Sequence, residues 1–111
     1  MFELNNPLNT VVVQQVPVEE ILCQLAEEAS ETAQAALKLR RTLSSVNPTP
    51  VTPEKAKAGL IEELADVLLC MSVLETAGIL NYSDQESIRQ IKDFKLTRWC
   101  KRLIQSKGEK K

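Results

Sequence analysis

Residues Leu60–Leu74 read LIEELADVLLCMSVL, and this stretch decides the fold. At about 100° per residue, Leu60, Leu64, Val67, Met71 and Leu74 fall within one arc of roughly 80°. Leu68 and Leu69 widen the apolar surface past a single stripe, which predicts a helix packed on several sides. Glu63 and Asp66 lie on the flank of the arc, with Cys70 between them in angle. Carboxylates beside such a surface cost free energy unless a cation or a hydrogen-bond donor meets them.

Outward from this stretch the chain keeps a helical composition. It has 111 residues, enough for one domain with a modest core. With three glycines, two Phe, one Tyr and one Trp, it does not resemble a sandwich or barrel. A net charge of −1 provides no field to draw the chain to nucleic acid or to an anionic membrane. The apolar runs are too short and too often charged to span a bilayer. MFELNNPLNT lacks a basic region followed by an apolar one, so no secretory signal is read there. Cys23, Cys70 and Cys100 fit neither a disulfide framework nor a zinc site, and a reducing, cytoplasmic setting is expected. There is no histidine. Ser-His and Cys-His nucleophile pairs are thereby excluded.

All-α architecture with three main helices is predicted. Residues 1–16 read as an N-terminal arm: Asn5-Asn6-Pro7 signals a turn, and Val11-Val12-Val13 is an apolar run without helical period, read as extended. A helical domain is expected over 17–104. Its first helix starts at Pro17, with Glu19 and Glu20 at the positive end of its dipole, and closes on Lys38, Arg40 and Arg41 near Leu43. Ser44–Thr52 (SSVNPTPVT) breaks the helix. Thr52 caps the second helix, with Pro53 in its first turn, and Gly78 stops it. Ser83-x-x-Glu86 reads as a capping box for the third, which runs to about Ile104 with Phe94 and Trp99 toward a core. Residues 105–111 are a polar, fraying tail.

The first helix repeats the anomaly of the second. Leu25, Ala35 and Leu39 share a face, yet Glu28 lies between them in angle, Glu31 follows at i+3, and Glu27 lies close to Glu31. Two helices thus each carry an acid pair, Glu28-x-x-Glu31 and Glu63-x-x-Asp66. Antiparallel packing would let the pairs face one another. Four carboxylates in one partly buried site keep protons unless a cation neutralises them. Oxygen-only ligation points to Mg²⁺ or Mn²⁺, and Mg²⁺ commonly takes substrate phosphates as further ligands. Lys95, Arg98 and Arg102, within an arc of about 60° on the third helix, would suit those phosphates. A carboxylate-bridged di-iron site needs Glu-x-x-His motifs that this chain lacks.

QLAEEASETAQAALKLRR followed by NPTPVT and GLIEELADVLLCMSVL resembles the MazG-like all-α nucleoside triphosphate pyrophosphohydrolases. Their signature, Glu-Glu-x-x-Glu, a spacer, then Glu-x-x-Asp, is matched by Glu27, Glu28 and Glu31, then Glu63 and Asp66, although residues 32–62 make the spacer longer than usual. The resemblance implies Mg²⁺ on Glu28, Glu31, Glu63 and Asp66. It further implies Glu27 and Glu28 as catalytic acids, with Glu27 orienting or deprotonating the water. Lys95, Arg98 and Arg102 would serve the phosphates of a (deoxy)nucleoside triphosphate. It also implies a bundle completed by self-association as a dimer or tetramer. The competing expectations are a phosphoribosyl-ATP pyrophosphohydrolase and a non-catalytic helical interaction module.

Overall fold

A computed structural model describes residues 6–44, 46 and 49–109. They form four α-helices: α1 (Leu8–Gln15), α2 (Val18–Thr42), α3 (Pro53–Thr76) and α4 (Tyr82–Glu109). The chain falls into two compact units, Met1–Ile79 with α1–α3 and Leu80–Lys111 with α4. No helix among the described residues is long and apolar enough to cross a membrane.

The expected three main helices are corrected to four, because Leu8–Gln15 is helical and not an extended arm. Three successive β-branched valines have low helix propensity, but tertiary contacts override it. Asn6 Oδ1 accepts from the Leu8 N–H at 3.0 Å and starts the turn. Asn9 is buried, and its Nδ2 donates to Ser72 Oγ at 2.8 Å and to Thr76 Oγ1 at 3.2 Å. These bonds tie α1 to the C-terminal half of α3. Residues 1–5 of the expected arm lie outside the described residues, as do Ser45, Asn47 and Pro48 of the proline-rich connection and Lys110 and Lys111 of the tail.

The inward face of α2 is a seam: buried Ile21, then half-buried Leu25, Glu28, Thr32, Ala35, Leu39 and Thr42. The steps alternate four and three, the spacing that keeps one side of a helix against a neighbour. On α3, Ala56, Leu60, Glu63, Val67, Cys70 and Leu74 repeat the pattern, and Leu74 is the most deeply buried at 1% exposure. Within each seam an acid sits where an apolar residue would otherwise go. The two helices run antiparallel: carboxylate oxygens of Glu31 and Glu63 lie within 4.8 Å of one another, and the one cleft they border also reaches Arg41, later on α2, and Lys55, earlier on α3. Ile61, Leu64, Leu68 and Leu69 remain exposed, so α3 is not covered on all sides.

Helix ends follow local rules. Thr52 caps α3 by accepting from the Lys55 N–H at 3.3 Å, with Pro53 opening the helix. At its other end Gly78 adopts φ 85°, Ile79 N–H donates to Leu74 O and Gly78 N–H to Glu75 O. That pair of bonds is a Schellman motif, which places glycine in the left-handed conformation. The reciprocal cap of α4 differs from the expected Ser83 and Glu86. Asn81 Oδ1 accepts from the Asp84 N–H at 2.9 Å and Asp84 Oδ2 accepts from the Asn81 N–H at 3.0 Å, so the box opens two residues earlier. Glu86 instead pairs with Arg89 one turn on. Helix α4 continues past Ile104 to Glu109, and Phe94 and Trp99, expected in a core, are exposed on it.

Candidate metal centre

Glu28 and Glu31 project from α2 one turn apart, and Glu63 projects from the facing turn of α3. One carboxylate oxygen from each of the three lies within 4.8 Å of the others. Glu31 is exposed, whereas Glu28 and Glu63 are half-buried in the seam. Their Oε2 atoms are shut off from solvent and receive no hydrogen bond. Acceptors left without donors in this way are costly.

The electrostatics express that cost. Burial, followed by the charges of Glu31, Asp66 and Glu63, pushes the Glu28 carboxyl up from 4.5 to about 7. Glu63 is also raised, first by burial, then by its contact with Glu31 and the charge of Asp66. Burial raises the Cys70 thiol, with Glu28 and Asp66 adding to it, which disfavours a thiolate ligand beside the acids. The donors are therefore oxygens alone. A hard divalent cation fits them: it would satisfy both orphaned oxygens and offset the mutual repulsion, and Mg²⁺ and Mn²⁺ are the ions of that chemistry.

The other expected site residues fall around the trio in different ways. Asp66 is half-buried and bears on Glu28 and Glu63 through its charge, but its oxygens lie outside the convergent three. Glu27 is exposed on α2 and likewise stands apart from the trio. Lys95, Arg98 and Arg102 line one shallow hollow of α4 with Trp99, and the Arg98 guanidinium lies 5.8 Å from the centre of the Phe94 ring. They belong to the second unit.

Three residues not singled out by sequence join the site. A cleft of about 630 Å³ between α2 and α3 is lined by Glu31 and Glu63 and also by Lys38, Arg41 and Lys55. Read along the chain, Lys38 and Arg41 sit in the last turns of a helix, where cations complement the dipole. The overlooked signal is spacing: Glu31, Ala35 and Lys38 share a helical face, as do Lys55, Gly59 and Glu63.

These features define an all-α protein with a three-carboxylate cluster able to coordinate a metal ion. Compared with protein-family models, with curated proteins and with solved structures, the chain matches none.

Proposed function

We propose that the protein is a Mg²⁺-dependent nucleotide pyrophosphohydrolase of the MazG-like kind, cleaving a (deoxy)nucleoside triphosphate to the monophosphate and pyrophosphate. The observation that carries this reading is the convergence of Glu28, Glu31 and Glu63 with two buried oxygens that lack donors. The acids come from the two motifs, Glu-Glu-x-x-Glu and Glu-x-x-Asp, in the order the resemblance requires.

In this reading Glu28, Glu31 and Glu63 hold the ion, and Asp66 adds negative charge beside them. Glu27, exposed and one position from Glu28, orients or deprotonates the attacking water. When bound, Mg²⁺ supplies Lewis acidity and neutralises charge on the departing pyrophosphate. The resemblance also assigns Lys95, Arg98 and Arg102 to substrate phosphates; they line a hollow of α4 within the second unit.

Pyrophosphate release from a panel of ribo- and deoxyribonucleoside triphosphates and phosphoribosyl-ATP, with Mg²⁺, tests the proposal. Release from one or more triphosphates is expected, and must disappear in Glu63→Gln. Release from phosphoribosyl-ATP alone would move the substrate assignment. Mn²⁺ binding without release from any nucleotide would reduce the protein to a metal-binding helical module.

A further inference from the structure

We infer that α4 is an interfacial helix that docks the protein onto an anionic phospholipid bilayer, laying Ile88, Ile91, Leu96, Trp99 and Leu103 into the lipid surface with Lys and Arg on the headgroups. The inference stands apart from the metal centre, which lies in the other unit.

The net charge of −1 conceals a separation of charge. Met1–Ile79 carries five Lys and Arg against eleven Asp and Glu, net −6, whereas Leu80–Lys111 carries nine against four, net +5. Within Ile88–Leu103 six cations meet a single acid, Asp93. Arg89 is paired with Glu86, and Lys92 lies 3.9 Å from Asp93. Lys95, Arg98, Lys101 and Arg102 make no ion pair among the described residues. A field absent from the chain as a whole is thus present on this helix.

Apolar surface accompanies the charge. At about 100° per residue, Ile88, Ile91, Leu96, Trp99 and Leu103 fall within an arc of roughly 140° along α4. Ile91, Leu96, Trp99 and Leu103 are each more than half exposed. Lys92, Lys95 and Arg102 lie inside the same arc and Arg98 at its edge, while Asp93 lies outside it. Lys92 and Lys95 line one shallow hollow with Ile88, Ile91, Leu96 and Trp99. Long cationic side chains so placed lay their stems along apolar surface and carry their charge outward. A helix of this make-up lies in the plane of an anionic bilayer, with tryptophan at the headgroup level. A nucleic-acid backbone would engage the cations but leave the aliphatic residues without a role. Two copies of this face would oppose like charges. Helix α3 has uncovered leucines of its own, so self-association need not use α4.

Trp99 is the chain's single tryptophan, so its emission reports on α4 directly. The full chain is mixed with vesicles of phosphatidylglycerol and phosphatidylcholine, with vesicles of phosphatidylcholine alone, and with a single-stranded oligonucleotide. Partition into vesicles is read by co-sedimentation. The anionic vesicles should shift Trp99 emission to the blue and carry the protein down, and the neutral ones should do neither. Lys92→Gln/Lys95→Gln should weaken partition on the order of tenfold or more, since each cation near an anionic surface contributes about fivefold. Leu96→Asn keeps every charge and should still weaken partition, which binding by charge alone would not show. Circular dichroism identifies a variant that loses helix. Should Leu96→Asn do so, the lysine pair carries the test, because Gln matches Lys in helix propensity. Anionic vesicles that leave Trp99 emission unmoved overturn the inference, as does full partition by the folded lysine variant. Binding to the oligonucleotide without partition assigns the face to nucleic acid, and emission that turns blue with protein concentration alone assigns it to a second copy; either result also overturns it.

Discussion

Glu28 and Glu63, on different helices, each hold an Oε2 that is closed to solvent and receives no hydrogen bond. The folded, metal-free protein therefore favours a proton there. The Glu28 pKa is raised to about 7 from an ordinary 4.5, so between those values the folded state binds more protons than the unfolded one. Stability from this group is fully present below about 4.5 and is lost as pH rises through about 7. Melting temperatures in chelator should fall across that window, and Glu28→Gln should flatten the fall. A wild type whose stability rises from pH 5 to 7.5 in chelator would contradict this.

Metal should reverse the preference, because it needs the carboxylates deprotonated. At a hundredfold excess over its dissociation constant, an ion bound to the folded state alone adds about 2.7 kcal/mol. Glu63→Gln should melt higher than wild type in chelator and lose most of the gain in millimolar Mg²⁺. Asp66→Asn should also melt higher in chelator but keep part of the gain, since Asp66 lies outside the convergent trio. If both variants melt lower in chelator and the wild type ignores Mg²⁺, these acids are structural.

Asn9 tests how α1 is held. Asn9→Ala removes its two side-chain hydrogen bonds to α3 and leaves the polar atoms they served without that partner. A loss of about 1–3 kcal/mol in denaturant unfolding is expected, with the Mg²⁺-dependent gain unchanged. A loss below about 0.5 kcal/mol would mean α1 is not anchored there.

Exposed cations of α4 give the opposite pattern. Lys95→Ala and Arg98→Ala should leave stability within about 0.5 kcal/mol, as surface changes do, and should raise the Michaelis constant for the nucleotide. Lost stability with an unchanged Michaelis constant would assign them to the fold.

Apolar exposure on the helices predicts self-association. Leu69 is 58% exposed on α3 and Trp99 60% on α4, with Phe94, Leu103 and Ile104 also uncovered. Apolar side chains left uncovered along a helix, as on α3 and separately on α4, mark interaction surfaces. Light scattering at micromolar concentration should give a dimer or tetramer mass, and a monomer mass with full helicity would refute it.

The acid pairs were legible because Glu28 and Glu63 interrupt apolar faces, a conflict visible in helical periodicity alone. Helix α1 was not legible: Val11-Val12-Val13 opposes helix locally, and the partners of Asn9, Ser72 and Thr76, lie far along the chain. At the start of α4, Asn81/Asp84 and Ser83/Glu86 carry overlapping capping patterns, and hydrogen-bond geometry chooses the earlier. In sequence, Lys38 and Arg41 are accounted for as dipole partners at the end of α2. Only antiparallel packing brings Lys55 and the two acids onto the same cleft.

Helix α3 does two jobs at its two ends. Lys55, Gly59 and Glu63 line an open cleft, while Cys70, Ser72, Val73 and Leu74 are buried. Its backbone amides should not all exchange with solvent deuterium through one cooperative opening. Those toward the Leu74 end should exchange mainly by global unfolding, and those near Gly59 through smaller local openings. The cleft end of the helix would then open without unfolding the Leu74 end.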